Sequence, residues 1–510
     1  MWQRFTLYDI RVVSHYLGVL LVIAAGAQLI PFFVSICFAE WSVAARYLFC
    51  AGLTLCIGTG MRMMRIEPGQ LNRQQAMAVT GFGWMVLGLA SAVPLAMSGH
   101  FSTYLDALFD CVSGFTCTGV SIISDLDHLS NGDNMWRFIM HFMGGTGLVV
   151  IAMSLGIIGG SASTGLYMSE GRSEHVVPSV METARFIIKF SFLVVFAFTL
   201  AFTVVMFYKG MSLDRAFLHS LWVSIGGFMT AGFAPMSASI AYYHSPIIEW
   251  MAMAIMLVGG INFSLHGAAW RGRIKGFFQD IETRTAIIWW TVLLASFMFA
   301  LSQTTLGSNI MSMVRSALFI FISSMTTTGF ATLNTNQIHT VFSSGAILIL
   351  VLGMTIGAGA GSTCGGIKLL RVGIIVKSVW ATIKSAFSPD SARVNVAYYH
   401  IGRHLLSPGI VKEAMTIFIL FTVTYAIGAM AGVAYGYGAI DSIFESVIMA
   451  SSTGISAGIS SQSMPEPLQI IYMLEMWAGR LEFITFLALF FKIIASLKPH
   501  KLNLHHIFNR

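Results

Sequence analysis

Long apolar segments dominate this chain and are separated by short polar loops. Ten of them are long enough to cross a membrane as helices, at residues 15–38, 43–61, 77–97, 138–160, 186–208, 247–267, 285–302, 341–378, 413–434 and 467–496. Four shorter amphipathic segments each follow a polar loop, at residues 104–117, 214–230, 312–327 and 440–452. Since a helix that enters a membrane and stops midway has this pattern, we predict ten spanning helices and four re-entrant half-helices.

Each short segment ends in a signature of small residues followed by glycine. The four signatures are Phe115-Thr116-Cys117-Thr118-Gly119, Phe228-Met229-Thr230-Ala231-Gly232, Met325-Thr326-Thr327-Thr328-Gly329 and Ala450-Ser451-Ser452-Thr453-Gly454. Ten positions before each glycine stands an aromatic residue, namely Phe109, Trp222, Phe319 and Phe444. Recurrence at a period of about a hundred residues indicates duplicated units. We therefore predict an all-α membrane protein of four helix–pore helix–helix repeats, arranged with fourfold pseudosymmetry around a central ion pathway.

The repeats divide the chain into five parts. An amino-terminal transmembrane hairpin covers residues 1–66, and pore repeats follow at 67–165, 166–275 and 276–385. The fourth pore repeat and a cytoplasmic tail cover residues 386–510. Loops of different length between the repeats account for their unequal spacing.

Converging half-helices suit a cation. The carboxyl end of a helix carries partial negative charge, and glycine allows the left-handed backbone that lines a narrow tube with carbonyl oxygens. A single Thr-Gly pair is most often an ordinary turn or helix end. Four such pairs or near-pairs in register favour a carbonyl-lined pore instead.

Composition and charge fit a membrane protein. The chain of 510 residues is 56% hydrophobic and only 10% charged, which is more apolar surface than a soluble domain buries. Lys and Arg collect on cytoplasmic flanks, and threading ten spans brings most of them to one side: Arg62, Arg65, Arg73, Arg172, Arg185, Arg271, Arg273, Lys275, Arg284, Lys377, Lys384, Arg393, Arg403, Lys412, Lys498 and Lys501. Both termini are therefore expected in the cytoplasm, and the net charge of +7 reflects orientation rather than affinity for nucleic acid.

The opposite side carries five carboxylates near the first signature, Asp106, Asp110, Asp125, Asp127 and Asp133. They either concentrate cations at a pore mouth or belong to an ordinary hydrophilic loop. The six cysteines show no metal-ligand spacing or paired extracellular arrangement, so we assign no disulfide and no metal. Single histidines, namely His141, His219, His244 and His266, are interpreted as packed or interfacial.

The apolar segment after the third signature is too long for one helix and rich in glycine. Its glycines are Gly353, Gly357, Gly359, Gly361, Gly365 and Gly366. Irregular backbone at membrane depth is tolerated where it borders a cavity, so we predict breaks at these positions and an unwound loop beneath the signatures. The alternative is a tight helix crossing that uses small residues.

Arg480 lies near the middle of the last apolar segment. A guanidinium there costs about 2.5–3.5 kcal/mol on insertion scales unless it faces a polar interior. It either lines the pathway and donates to loop carbonyls, or pairs with Glu475 or Glu482 at a helix interface. The spans contain no paired carboxylates or His/Asp cluster that would indicate an enzyme, and no nucleotide-binding turn occurs.

Further motifs resemble those of the Trk/Ktr/HKT superfamily of potassium transport proteins, most closely the bacterial TrkH and KtrB membrane subunits, over residues 75–497. They are Trp136-Arg137-Phe138, Gly144-Gly145-Thr146-Gly147, Gly259-Gly260-Ile261-Asn262, Ala360-Gly361-Ser362-Thr363-Cys364-Gly365-Gly366-Ile367-Lys368 and Gly479-Arg480-Leu481-Glu482. The amino-terminal hairpin is more like TrkH than the shorter KtrB.

The resemblance implies a potassium-selective filter, because all four signature glycines are present. It maps the filter onto Thr116 to Gly119, Met229 to Gly232, Thr326 to Gly329 and Ser451 to Gly454, with Phe233, Phe330 and Ile455 following the last three glycines. Potassium would be held by the backbone carbonyls of Cys117, Thr118, Thr230, Ala231, Thr327, Thr328, Ser452 and Thr453. Cys117 and Ala231 depart from the family pattern, but their side chains would not touch the ion.

The resemblance also implies a gate, partners and a location. The gate would be an intramembrane loop with a buried arginine: Gly357, Gly359, Gly361, Ser362, Thr363, Cys364, Gly365, Gly366 and Arg480. Cys364 stands where the family usually has glycine. We expect a homodimer in the bacterial inner membrane, and a regulatory subunit of the TrkA or KtrA type that carries ATP or NAD and docks on the basic loops 271–284 and 377–412. The alternative is a sodium-coupled or weakly selective monovalent cation transporter.

Overall fold

A computed structural model describes residues 4–66, 71–154, 166, 179–304, 310–333, 342–389 and 395–497. Among the sequence-based predictions, residues 155–160 and 341 of two apolar segments lie outside these ranges, as do Arg172, Arg393, Lys498 and Lys501. The regular structure within the ranges is helical except for one short β-hairpin.

The helices follow one another in an amino-terminal pair and four sets of four. The pair is α1 (Leu7–Cys37) and α2 (Trp41–Arg62), which pack against each other. The first set is α3 (Arg73–Ala96), α4 (Tyr104–Thr116), α5 (Asn131–Thr146) and α6 (Leu148–Ser154). The second set is α7 (Val180–Tyr208), α8 (Leu213–Phe228), α9 (Pro246–Gly260) and α10 (Phe263–Trp270), and α11 (Ile274–Gln279) follows it.

The third and fourth sets have the same order. The third is α12 (Ile281–Ser302), α13 (Ile310–Met325), α14 (Ser344–Thr355) and α15 (Leu369–Ala386). Strands β1 (Ala397–His400) and β2 (Gly402–Leu405) then pair antiparallel, with Ala397 opposite Leu405. The fourth set is α16 (Pro408–Ala434), α17 (Ala439–Ser451), α18 (Glu466–Arg480) and α19 (Ile484–Leu497).

Local chemistry sets where several helices begin. Thr103 caps α4 through a reciprocal capping box with Asp106, which satisfies two amide groups at the helix start. Asp280 caps α12 by accepting from the Glu282 amide. Helix α16 begins with Pro408 after Ser407, where the missing proline amide would have had no partner.

Six helices within the described ranges are long and apolar enough to cross a membrane, and the α9–α10 pair, bent by 97°, makes up to seven. Four predicted segments are interrupted: 138–160 at Gly147, 247–267 at 261–262, 341–378 at 356–368 and 467–496 at 481–483. Their parts do not count as spans one by one, because α15 carries three basic residues and the other parts are too short. The number of ten spans therefore stays a prediction.

The third helix of each set contacts the short helix of the next set. Helix α5 contacts α8, α9 contacts α13, α14 contacts α17, and α18 returns to α4. The contacts thus close into a ring around the ends of the short helices. The four aromatic residues found in register are all buried inside this ring, from Phe109 at 0% exposure to Phe444 at 2%.

Glycines let the helices of the ring approach closely. A side chain at Gly144, Gly259 or Gly479 would collide with the last carbonyls of a short helix, those of Phe115, Phe228 and Ala450 respectively. Gly353 has the same role in the third set, where it packs against Met325. The prediction of a chain break at Gly353 was therefore wrong, and the tight helix crossing describes this glycine.

Candidate functional site

The four short helices end in the same backbone turn. The residue two positions before each signature glycine has a left-handed conformation, with φ of 59° at Cys117, 47° at Thr230, 50° at Thr327 and 57° at Ser452. The next amide then bonds back five residues, as from Thr118 to the Ser113 carbonyl at 2.9 Å. The equivalent bonds in the other repeats measure 2.8–3.0 Å. Such a turn closes a helix and directs the following residues away from its axis.

The signature glycines differ in backbone conformation. Gly119, Gly232 and Gly329 have φ of 77°, 74° and 93°, a region that glycine enters without steric cost. Gly454 is not among the residues with positive φ, so the expectation of this conformation at all four glycines was wrong for the fourth. Close approach of neighbouring backbone is what excludes a side chain there.

The four signatures converge on one point. A methyl group added at Gly232 would lie 2.7 Å from the Thr328 carbonyl oxygen, 2.8 Å from the Gly454 Cα and 3.1 Å from the Gly119 Cα. One added at Gly454 would lie 3.2 Å from the Thr118 oxygen. Segments more than three hundred residues apart in sequence thus bring backbone carbonyls together at the centre of the ring.

Side-chain hydroxyls brace three of the four signatures. The Thr116 and Thr118 hydroxyls lie 2.8 Å apart, as do those of Thr326 and Thr328. Ser451 and Thr453 form the equivalent pair at 3.0 Å. The second signature has Met229 and Ala231 at these positions and lacks the pair. In these three turns the two hydroxyls therefore bond to each other.

A cavity of about 460 Å³ opens on one side of this point. The four signature glycines and the residues that follow them line it, and Arg137 reaches its wall. The Arg137 guanidinium is fully buried, donates to Asp110 at 3.2 Å and stacks 3.9 Å from the centre of the Phe233 ring. The charge of Arg137 is thus paired with the Asp110 carboxylate within the wall of the cavity.

Two buried carboxylates hold the chain that leaves the signatures. Asp110 accepts from the Ser121 hydroxyl at 2.6 Å. Glu445, at the matching position of the fourth repeat, accepts from Ser456 at 2.9 Å and from the Ser460 amide at 3.1 Å. The second and third repeats have Val223 and Ile320 at this position. The first and fourth exit segments are therefore fixed by charge-assisted bonds to a carboxylate of their own short helix. In the second repeat, Ser237 instead binds Asp127 of the first repeat, through its amide at 2.8 Å and its hydroxyl at 2.6 Å.

The five aspartates near the first signature do not form one cluster. Asp106 caps α4, and Asp133 is buried against Arg46 at 2.6 Å. Only Asp125 and Asp127 are exposed. The hydrogen bond from His128 lowers the pKa of Asp125, and the same bond raises the pKa of His128. Most of this carboxylate charge is structural, which removes the basis for a free acidic cluster at the cavity.

The glycine-rich segment 356–368 lies on the other side of the converging signatures. Its Cys364 thiol donates to the Thr326 carbonyl at 2.9 Å, and the Gly365 amide donates to the Thr327 hydroxyl at 3.0 Å. Thr363 donates to the carbonyls of Phe228 and Gly259, each at 3.0 Å. The loop therefore touches the second and third signatures directly.

Charged side chains anchor this loop from several elements. The Ala360 amide donates to Glu282 at the start of α12 at 2.5 Å. The Lys368 ammonium donates to the Cys364 carbonyl. Gly361 and Gly366 have φ of 61° and 69°, which suits glycine at these two turns. The segment is an ordered, non-helical loop between α14 and α15.

Arg480 ends α18 and faces the same loop. One of its terminal nitrogens donates to the Thr363 carbonyl at 3.5 Å and the other to the Gly144 carbonyl. Glu482 pairs with Arg371, and Glu475 accepts from Ser446 at 3.1 Å. Neither carboxylate forms a salt bridge with Arg480 within the described ranges. Arg480 therefore joins the first, third and fourth repeats below the signatures.

Several residues of this site carried no role in the sequence. His141 accepts from the Phe233 amide at 3.3 Å and contacts the Gly114 carbonyl at 2.9 Å, so it bridges the first and second repeats. Lys368 was noted only as a motif residue, and Glu282 was not singled out in the sequence. The matching positions of Asp110 and Glu445, nine residues before their glycines, were the one signal of a shared role that the sequence offered.

The chain was compared with known proteins. The model of the TrkH family, described as cation transport protein, matches residues 48–500. An uncharacterized cation transporter of Methanocaldococcus jannaschii is 30% identical over 505 residues, which cover 97% of this chain and 99% of that protein. The Trk system potassium uptake protein TrkH of Escherichia coli K12 is 26% identical over 494 residues, or 94% of this chain and 98% of that protein.

A solved structure extends the likeness to the fold. The crystal structure of the potassium transporter TrkH from Vibrio parahaemolyticus superposes with a TM-score of 0.78 at 21% identity, and the match covers 96% of this chain and 99% of that one. The prediction of a helical membrane protein is confirmed by this match, apart from the short β-hairpin.

Proposed function

The chain belongs to the TrkH family of cation transport proteins, and from this membership we propose that it takes up potassium ions across a bacterial cytoplasmic membrane. Ten spanning helices and four re-entrant pore helices, with both termini in the cytoplasm, would form one pathway of fourfold pseudosymmetry. The ring of contacts from α5 round to α18 supports this arrangement.

The single observation that carries the proposal is the meeting of four signature glycines below a cavity. Only backbone reaches that point, and carbonyl oxygens replace the hydration shell of a potassium ion. The filter carbonyls are those of Cys117, Thr118, Thr230, Ala231, Thr327, Thr328, Ser452 and Thr453. The pore-helix ends, with partial negative charge, add to the attraction of a cation.

The gating loop, residues 356–368, obstructs the pathway below the filter. Its bonds to Thr326 and Thr327 support this position beneath the filter carbonyls. Arg480 holds the Thr363 carbonyl and adds a positive charge that opposes cation passage. Release of the loop from Arg480 and Glu282 would open the route to the cytoplasm.

The chain would act as a homodimer with a nucleotide-binding regulatory subunit of the TrkA or KtrA type. The cytoplasmic loops 271–284 and 377–412 carry the basic residues for that contact. The nucleotide, ATP or NAD, would bind to the regulatory subunit and not to this chain. A sodium-coupled or weakly selective transporter is the second candidate, favoured by the absence of the hydroxyl pair in the second signature.

Growth rescue tests the function. A potassium-uptake-deficient bacterium would express the full chain with and without a candidate regulatory subunit, and rubidium and sodium uptake would be measured. We expect growth at low potassium and rubidium entry above sodium entry. Equal rubidium and sodium entry would favour the second candidate, and no uptake of either ion despite membrane expression would contradict the proposal.

A further inference from the structure

A second pocket lies far from the filter, between α12, α15 and the β-hairpin. Its volume is about 510 Å³, and its walls are apolar and aromatic, including Ile288, Trp289, Val376 and Tyr398. Three elements each contribute one basic residue to its lining: Arg284 from α12, Lys377 from α15 and Arg403 from β2. Among the residues that the structure describes, no acidic side chain lines it.

The charge of these three side chains is not neutralised by the protein around them. The Arg284 Nε donates to the Phe278 carbonyl at 3.3 Å, and the Lys377 ammonium donates to the Ala397 carbonyl at 3.2 Å. Arg403 is exposed. In the part of the chain that the structure describes, none of the three pairs with a carboxylate. The pocket therefore attracts an anion.

The apolar walls of the pocket disfavour a small hydrophilic anion as its ligand. Ile288 is 68% exposed on α12 and Val376 is 60% exposed on α15, so both present hydrocarbon to the surroundings of the protein. In the proposed topology this end of α12 and α15 lies at the cytoplasmic surface of the membrane. A ligand that matches both features has a phosphate head and hydrocarbon chains.

We propose that this pocket binds an anionic glycerophospholipid of the cytoplasmic leaflet, and this inference rests on the proposed function for its topology. The phosphate lies between Arg284, Lys377 and Arg403, and an acyl chain follows the apolar walls. Basic pockets between membrane helices on the cytoplasmic side are known to hold anionic head groups.

The pocket is joined to the gating loop by a short chain of contacts. His400 of the hairpin lies 3.1 Å from the carboxylate of Asp280, which also accepts from the Ile401 amide at 3.1 Å. Two residues further on, Glu282 accepts from Ala360 of the loop. A lipid that bridges α12, α15 and the hairpin stabilises this arrangement, and with it the anchored form of the loop.

Lipid binding to the purified full chain tests the proposal without any need for transport. Native mass spectrometry would measure binding of phosphatidylglycerol and phosphatidylcholine to the protein in detergent. The variant Arg284→Gln/Lys377→Gln/Arg403→Gln would be compared with the control Arg273→Gln/Lys275→Gln/Lys384→Gln, which removes three exposed cytoplasmic charges outside the pocket. At about 1 kcal/mol per basic residue, phosphatidylglycerol binding falls about a hundredfold in the pocket variant only.

Each possible result of this experiment either supports or overturns the proposed lipid site. Equal phosphatidylglycerol binding by the pocket variant and the control overturns the proposal, and so does equal binding of the two lipids by the intact chain. Displacement of the lipid by glycerol 1-phosphate at similar concentration shows a simple anion site and also overturns it. If the triple variant fails to fold, Arg403→Gln alone, on the exposed hairpin, is expected to weaken binding about fivefold.

Because this readout counts bound lipid, its failure is distinct from a failure of potassium uptake. A chain that conducts no potassium yet loses phosphatidylglycerol in the pocket variant supports the lipid site and contradicts only the proposed function. A chain that transports potassium but binds the two lipids equally supports the proposed function and contradicts the lipid site.

Discussion

The filter and the gating loop lie against each other, yet different kinds of contact hold them. The bonds that close each filter turn join near neighbours in sequence, such as Thr118 to Ser113 and Thr326 to Thr328. Loop bonds cross the chain: Ala360 reaches Glu282, 78 residues away, and Arg480 reaches Thr363, 117 residues away. The turn at the end of each short helix is therefore closed by its own residues, whereas the loop keeps its shape only while several elements stay in place.

Under the proposed function, this difference would divide selectivity and gating between the two regions. The bonds that close each turn lie within one short helix and the residues just after it, so they do not end on the charged anchors of the loop. Long-range bonds that end on charged side chains are lost together when one element shifts, which is how a two-state segment behaves. Changes in the filter should therefore alter which ion passes, and changes in the loop anchors should alter how fast ions pass.

The largest effect is expected from Gly119→Ser. Its φ of 77° disfavours any side chain, and the added Cβ would lie 2.5 Å from the Gly232 Cα. A loss of about 1–3 kcal/mol from backbone strain lowers the ratio of rubidium to sodium uptake by about fivefold to a hundredfold. Gly99→Ser is the matched control, because Gly99 has φ of 82° but nothing within 4 Å of the added Cβ. An unchanged ratio in Gly119→Ser would remove this glycine from the filter.

The next effect is expected from Arg480→Gln, which removes the donors to the Thr363 and Gly144 carbonyls. A hydrogen bond from a charged group contributes about 1.5–3 kcal/mol, so rubidium uptake without the regulatory subunit rises about tenfold. The rubidium-to-sodium ratio stays the same. Arg273→Gln, at an exposed cytoplasmic position, serves as the control. A changed ion ratio with unchanged uptake would reverse the assignment of the two regions.

The comparison of the filter with the gating loop also explains which features could be predicted from the sequence. The ends of the pore helices were predictable because each repeat carries the same local sequence pattern. This pattern is an aromatic residue, a run of small residues and a glycine at fixed spacing. Their observed bounds differ from the predicted ones by two residues or fewer. The backbone of Gly454 was not predictable, since its conformation depends on three other segments that meet there.

The anchors of the loop escaped prediction for the same physical reason. Nothing near Glu282 in sequence points to Ala360, and nothing near His141 points to Phe233. Likewise, Gly353 and Gly357 belong to one glycine-rich run, but one packs inside a helix and the other begins a loop. Contacts between residues far apart in sequence produce no periodic pattern in the sequence. Only the structure therefore distinguishes the role of one glycine from that of the other.

A smaller effect is expected from Glu282→Gln. The neutral amide oxygen still accepts from Ala360, but the charge-assisted part of the bond is lost. A loss of about 1 kcal/mol raises rubidium uptake about fivefold and leaves the ion ratio unchanged. Glu249→Gln is the control, since Glu249 pairs with Arg315 away from the loop. Uptake equal to that of the intact chain would show that this anchor does not hold the gate.

The smallest effect is expected from substitution of Cys364, which lies where the gating loop contacts the filter. Its thiol is a weak donor to the filter carbonyl of Thr326, so Cys364→Ser should change rubidium uptake by no more than about twofold. In a background with the exposed Cys37 and Cys56 replaced by serine, a methanethiosulfonate reagent should block uptake slowly, because Cys364 is 1% exposed. Arg480→Gln should speed that block, and Cys364→Ser should abolish it. Fast block at the same rate with and without Arg480 would mean that the loop leaves the filter freely, so that its long-range anchors do not set its position.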